Sequence, residues 1–288
     1  MNNRLLIICG IGGASIACAG VAVHELETSA SAAPQSQPSQ AQPQTVTNAP
    51  APAKTDANAV PILVELFTSE GCSSCPPADV VLANLERNQG IAGARVVPLG
   101  LHVDYWDRLG WTDPFSSARM TERQRSYSTL GSGSYTPQAV VDGAKETVGS
   151  RRAALELFVT EAAKRPHASL TIEVAPRTDA AAPFLVSLKI GALPAGSAAD
   201  AEAVVALTQN AARVAIPRGE NSGSTLEHTA IARELVVVGP APAAGGSLKT
   251  SLNSPAGIAP KDLRIVAFVQ ERASRRVLGT QTRDLDAR

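Results

Sequence analysis

The sequence predicts an α/β domain followed by an all-β, sandwich-like domain, the two meeting near residue 166. Three observations lead there. Between residues 59 and 166, short aliphatic runs alternate with segments of helical periodicity, the pattern of a strand–helix–strand unit. From 167 to 288 the texture changes to short alternating segments separated by Gly, Pro and Asn turns. A chain of 288 residues with 44% hydrophobic side chains also has material for more than one core.

Residues 1–27 stand apart from both domains. In "MNNRLLIICGIGGASIACAGVAV", Arg4 precedes an apolar stretch from Leu5 to Val23, the order of charge and apolarity of an export signal. The stretch is also about as long as a membrane span requires. The segment is therefore expected to be either a signal peptide or a retained membrane anchor. Ala30-Ser31-Ala32 offers a small-x-small cleavage site, whereas Ser15, ahead of Ala17-Cys18, stands where a lipoprotein signal wants an aliphatic residue. Either outcome places the chain outside the cytoplasm, in the periplasm, soluble or tethered to the inner membrane. Residues 28–58, rich in Ala, Pro, Gln and Ser without apolar periodicity, read as a disordered tether, because such a segment cannot offset its own ordering entropy.

The first domain opens with "VPILVELF", a short β-branched run that reads as a buried strand. "PADVVLANLERN" then places Val80, Val81, Leu82 and Leu85 on helical spacing, and "ARVVPLGLHV" is a second buried strand. Asp113-Pro114 predicts a cap and first helical position for "FSSARMTERQRSYSTLG". "YTPQAVVDG" is a short strand ending in the tight-turn pair Asp142-Gly143, and a helix capped by Ser150 carries the stripe Leu155, Phe158, Val159 and Ala162. The second domain reads as six or seven strands: "SLTIEVAP", "PFLVSLKIGAL", "AEAVVALTQN", "RELVVVGP", "SLKTSLN" and "LRIVAFVQ".

Lys plus Arg and Asp plus Glu balance at 26 each, and local charge runs such as "RASRR" at 272–276 read as a solvated turn, so nucleic acid is not an expected partner. Of four cysteines, Cys9 and Cys18 lie in the apolar N-terminal segment, which leaves Cys72 and Cys75 with only each other in an oxidising compartment. They sit in "LFTSEGCSSCPP", between the first strand and the first helix. A helix N-terminus, with its free N–H groups and positive dipole end, favours thiolate over thiol. Cys72 is then the expected nucleophile and Cys75 the resolving thiol that attacks the mixed disulfide. A permanent structural disulfide is the plain alternative, though so small a loop gains little from closure. A second alternative is a copper(I) site of Cys72, Cys75 and His102, since copper(I) needs only two or three soft ligands; on the first reading no metal is expected.

The order strand, CxxC, helix, strand, then Thr-Pro ahead of a further strand resembles the thioredoxin superfamily. The resemblance implies a thioredoxin-like first domain. It implies that Glu65 helps move the proton of Cys75; the plain alternative is a salt-bridged or edge-strand glutamate. It also implies that Thr136-Pro137, at the family's cis-proline position, holds an extended substrate. "GCSSC" replaces the usual intervening residues, the loop from Glu65 to Cys72 is one residue longer, and the stretch before Thr136 is long. More closely, "ELFTSEGCSSCPPAD", "HVDYWDRLGWTDPF", "RQRSY", "YTPQAVVDG", "GSRR" and "GENSGSTLEHTAIAREL" are similar to the exported, thioredoxin-like family catalogued as domain of unknown function 1223.

His102, Asp104, Tyr105, Trp106, Asp107 and Trp111 gather at the C-terminal end of the second strand, where α/β ligand sites tend to lie. They would line a groove beside Cys72, or form a local core with the aspartates capping the loop. His228 and Arg233, five residues apart, would face opposite sides of a regular strand, which predicts no pairing between them. The expected function is an exported thiol–disulfide oxidoreductase whose partner is a protein or small thiol or disulfide. Copper(I) delivery and a non-catalytic scaffold that binds a partner stand as the alternatives.

Overall fold

A computed structural model of the chain describes residues 44–45, 58–177, 179 and 181–285. The expected export segment and nearly all of the expected tether lie outside them. Among the described residues, no helix is long and apolar enough to cross a membrane.

The chain is mixed α/β, with one large, mostly antiparallel sheet and few helices. Strand β1 (Gln44–Thr45) precedes β2 (Val60–Thr68), which runs into helix α1 (Pro76–Asn88) and the parallel strand β3 (Ala94–His102). Helix α2 (Ala118–Arg125), the hairpin β4 (Gln138–Val141) and β5 (Lys145–Val148), and helix α3 (Arg152–Ala163) follow. The rest is β6 (Leu170–Val174), β7 (Phe184–Ile190), the long hairpin β8 (Ala201–Ala215) and β9 (Thr225–Pro240), β10 (Gly246–Leu252), β11 (Leu263–Glu271) and β12 (Val277–Asp284). Strand order in the large sheet is β12-β11-β8-β9-β3-β2-β4-β5, with β1 on β8; β10-β7-β6 form a second, three-stranded sheet.

Strand alternation assigns the layers. Ile62, Val64 and Leu66 of β2 face Leu82 and Leu85 of α1 and Leu155, Val159 and Ala162 of α3. Leu63 and Phe67 face the other way, into a cluster with Leu99 and Leu101 of β3, Met120 of α2, Tyr127, and Val204, Ala206, Val266 and Phe268 of β8 and β11. The opposite faces of β8 and β11, carrying Ala203, Val205, Leu207, Ile265 and Ala267, pack on Leu170, Ile172, Val186 and Leu188 of the smaller sheet.

The two expected domains are therefore not separate. Residues on both sides of 166 share the cluster around Phe67 and Phe268, and the described residues form one unit. The sandwich-like packing exists, but one of its sheets is the continuation of the α/β sheet. The two halves meet where β3 pairs with β9 at Gly100 and Ile231. A Cβ at Gly100 would lie 3.0 Å from Thr229 O, so glycine permits the approach. The sheet also curls: Val277 N–H, at the start of β12, bonds to Asp142 O just past β4 at 2.9 Å.

Two local expectations shift. Ser117, not Asp113, caps α2, its side chain accepting from Met120 N–H, because Asp113 is drawn into the buried cluster described below. Helix α3 begins at Arg152 after Arg151, without a side-chain cap from Ser150. Strands β5 and β12 were not among the expected elements.

Candidate functional site

The site grows from the turn between β2 and α1. Cys72 N–H bonds to Ser69 O at 3.1 Å and Cys75 N–H to Cys72 O at 3.1 Å, so the loop folds onto the helix end. Cys75 is the N-cap of α1 and is joined to Cys72 by a disulfide, with Cα atoms 5.4 Å apart. The helix start does not offer the sulfur the expected free N–H groups. Pro76 and Pro77 occupy the first two helical positions and have no N–H, while Ala78 N and Asp79 N bond to Cys75 O at 2.8 and 3.2 Å.

Hydroxyls meet the Cys72 sulfur instead. Thr136 Oγ1 donates to Cys72 Sγ at 3.3 Å, and Ser74 Oγ lies 3.4 Å from it. Trp106 Nε1–H donates to the same Thr136 oxygen at 2.8 Å, which leaves the hydroxyl proton directed at the sulfur. The Thr136–Pro137 peptide is cis.

Glu65 lies elsewhere. It is on the face of β2 turned away from α1, where Arg123 Nε and the Tyr127 hydroxyl bond to its two carboxylate oxygens. Gln270 joins them, accepting from Arg123 Nη1 at 3.3 Å and donating to Tyr127 OH at 3.0 Å. The salt-bridged alternative describes these contacts. Opposition between Coulomb attraction and burial is resolved in favour of charge: burial lowers the Arg123 pKa, but Glu65 and the neighbouring groups raise it beyond the ordinary arginine value.

His102 takes part in a second buried cluster. Its Nδ1 lies 2.6 Å from Asp113 Oδ2, which also accepts the Glu70 N–H at 2.9 Å, while Asp113 Oδ1 accepts Phe115 N–H at 2.9 Å. Burial raises the Asp113 pKa, but His102 and these donors outweigh it and hold the carboxyl below the usual range. Among the described residues, no group of three or more His, Cys, Asp or Glu is arranged to hold a metal ion. His102 makes its contacts to Asp113, Phe115 and His228. Of the other residues in that stretch, Asp104 and Asp107 bind Thr121 and Ser116 as loop caps, whereas both tryptophans donate into the site, Trp111 Nε1–H to Glu70 Oε2 at 2.6 Å.

Glu70, Asp79 and Asn221 were not among the residues expected at the site, and His228 was expected only to be unpaired with Arg233. Asn221, at the tip of the β8–β9 hairpin, donates from Nδ2 to Glu70 O at 2.8 Å and Cys72 O at 3.1 Å, and Glu220 Oε2 accepts the Ser73 N–H at 3.1 Å. That tip roofs the cysteine loop, and Cys72 is 1% exposed. His228 Nε2 lies 3.2 Å from Glu70 Oε1, and its Nδ1 lies 4.0 Å from Asp79 Oδ1. Burial pushes the His228 pKa down, yet the two carboxylates prevail and raise it to about 10. His228 and Arg233 are not on opposite sides: β9 slips register at Arg233 and Ala230 has φ +51°, so His228 packs on Phe115 at 5.8 Å while the Arg233 guanidinium lies over the same ring at 5.1 Å.

Residues 63–270 match the model of a family described as a protein of unknown function, DUF1223. The crystal structure of protein AGR_C_4864 from Agrobacterium tumefaciens is similar, with a TM-score of 0.59 and 27% identity over 81% of this chain and 97% of that one. HBP35 of Porphyromonas gingivalis has a similar fold, with a TM-score of 0.56 and 14% identity over 81% of this chain and 77% of that one. No curated protein matches.

Proposed function

The chain belongs to the DUF1223 family, and from that premise we propose that it is an exported thiol–disulfide oxidoreductase built on a thioredoxin-like α/β region. Cys72 is the attacked and attacking sulfur, Cys75 resolves, and Thr136-Pro137 holds the partner strand. The observation that carries this reading is the Thr136 hydroxyl, directed at Cys72 Sγ from 3.3 Å across the start of α1. A merely structural disulfide has no need of a positioned donor at one of its two sulfurs. A sulfur that must exist for part of each cycle as a thiolate does, because a hydrogen bond to the charged form favours it.

In the oxidised chain a partner thiolate attacks Cys72 Sγ, and Cys75 Sγ leaves with the electron pair of the broken bond. A second partner thiolate then attacks the mixed disulfide and releases Cys72, with Thr136 and Ser74 as its donors. Run backwards, Cys72 attacks a partner disulfide and Cys75 resolves it. The partner is a protein or small thiol or disulfide.

The test is equilibration of the exported region with mixtures of reduced and oxidised dithiothreitol, followed by exchange with a protein disulfide. Reversible cycling, with exchange lost in Cys72→Ser, supports the reading. A bond that resists strong dithiols in the folded protein, or exchange that persists in Cys72→Ser, overturns it.

A further inference from the structure

His228 lies more than 150 residues from the cysteines in sequence, yet it is inserted between the two segments that flank them. Glu70, two residues before Cys72, holds its carboxylate 3.2 Å from His228 Nε2. Asp79 stands four residues beyond Cys75, on the same side of α1. Its Oδ2 accepts from Thr68 Oγ1 at 3.3 Å, and its Oδ1 faces His228 Nδ1 at 4.0 Å, an ion-pair distance too long for a hydrogen bond. That nitrogen has no hydrogen-bond partner although the ring is buried.

Among the described residues, neither Glu70 nor Asp79 has a lysine or arginine partner, so His228 is the cation of both. The other charged or titratable groups around it are His102 on β3, with its ring 4.7 Å away and itself bound to Asp113, and Arg233 on β9, over the shared Phe115. When the disulfide opens, the Cys75 thiolate adds negative charge to a buried region that already holds carboxylates, and low polarity magnifies that cost. A cation between the two carboxylates is the group placed to offset it.

We propose that His228 is a positioning residue of the Cys72–Cys75 couple: its imidazolium, held between Glu70 and Asp79, offsets the negative charge of the Cys75 thiolate as it leaves. This rests on the oxidoreductase reading. A partner thiolate attacks Cys72 Sγ, the Cys72–Cys75 bond breaks, and its electron pair stays on Cys75 Sγ. The imidazolium keeps its proton while that thiolate is present, and the thiolate then takes up a proton from solvent. A second partner thiolate displaces Cys72, which takes a proton from solvent. The protein disulfide gains two electrons and two protons, and the two partner thiols become one disulfide.

The experiment measures the rate of reduction by dithiothreitol from pH 7 to 10.5, divided by the reagent's thiolate fraction. Three proteins are compared: the unsubstituted chain, His228→Gln, and the charge-balanced double variant Asp79→Asn with His228→Gln, which covers the case in which the single variant fails to fold. The unsubstituted chain should show a flat normalised rate that falls as pH rises through about 10, where His228 loses its proton. His228→Gln should be slower by about threefold, the effect of about one pKa unit on a leaving thiol at a Brønsted coefficient of about one half; the double variant should lie closer to the unsubstituted rate, and both should lose the break. Folded variants with the unsubstituted profile overturn the assignment of His228 alone. A disulfide that dithiothreitol does not reduce at any pH overturns the oxidoreductase reading, and this inference with it.

Discussion

Thr136 Oγ1 lies 3.3 Å from Cys72 Sγ while accepting the Trp106 Nε1–H at 2.8 Å. The indole fixes which way the hydroxyl proton points, so the pair acts as one oriented donor on a sulfur whose helix end, begun by two prolines, has few amides to give.

Thr136→Val keeps the side-chain shape and removes that donor. A hydrogen bond of this kind is worth about 0.5–1.5 kcal/mol, so alkylation of reduced Cys72 at neutral pH should slow by about threefold to tenfold. Trp106→Phe should slow it less, because the hydroxyl remains but is free to rotate. Stopped-flow alkylation kinetics check both. A Thr136→Val protein that reacts as fast as the unsubstituted one shows that the hydroxyl does not act on the sulfur.

Much of this was legible in the chain. Short aliphatic runs placed β2 and β3, helical spacing placed α1, and the turn pair at Asp142-Gly143 marked the end of β4, though not the strand β5 that follows it. Other signals were present but differently weighted. Glu65 shares strand parity with Leu63 and Phe67, not with the residues facing α1, so period two alone puts it on the face away from the cysteines' helix. The runs "AVVAL" at 203–207 and "IVAFV" at 265–269 are apolar at every position, which marks strands buried on both faces and hence a shared sheet. Asn221 and His228 were not legible by spacing. They reach the site because a long hairpin folds back over it, and β9 breaks regular parity near Ala230 and Arg233.

The Glu65–Arg123–Tyr127 cluster joins β2 to the segment around α2, and Gln270 ties in β11. Removing one partner of a buried ion pair leaves the other charge uncompensated, at a cost of about 3–5 kcal/mol. Arg123→Met should therefore lower the urea midpoint sharply. The double variant Glu65→Gln with Arg123→Met should recover part of that loss. Equal loss in single and double variants would show that the charges are not coupled.

Asn221 fastens the hairpin tip through two carbonyls, Glu70 O and Cys72 O. Asn221→Ala leaves both without that donor, at about 1–3 kcal/mol. Because the tip also covers Cys72, amide exchange at Ser73 and reduction of the disulfide should both become faster. Hydrogen exchange with mass spectrometry and dithiothreitol reduction rates read the two effects. Faster unfolding without faster local exchange would mean that the tip supports the fold but does not shield the sulfur.

Stability should depend on pH from both ends of the range, with opposite signs. His228 has its folded pKa raised to about 10 from about 6.5. Its contribution is fully present below about 6.5, declines above that, and is gone once pH passes about 10. Asp113 has its folded pKa lowered, so its contribution is present above the ordinary carboxylate value and is lost as pH falls through the folded value. Urea titrations across pH should give a plateau between the acid and alkaline declines. His228→Gln should flatten the alkaline decline and leave the acid one, since Asp113 draws its support from His102 and backbone N–H groups. An alkaline decline of the same size in that variant would assign it to another group.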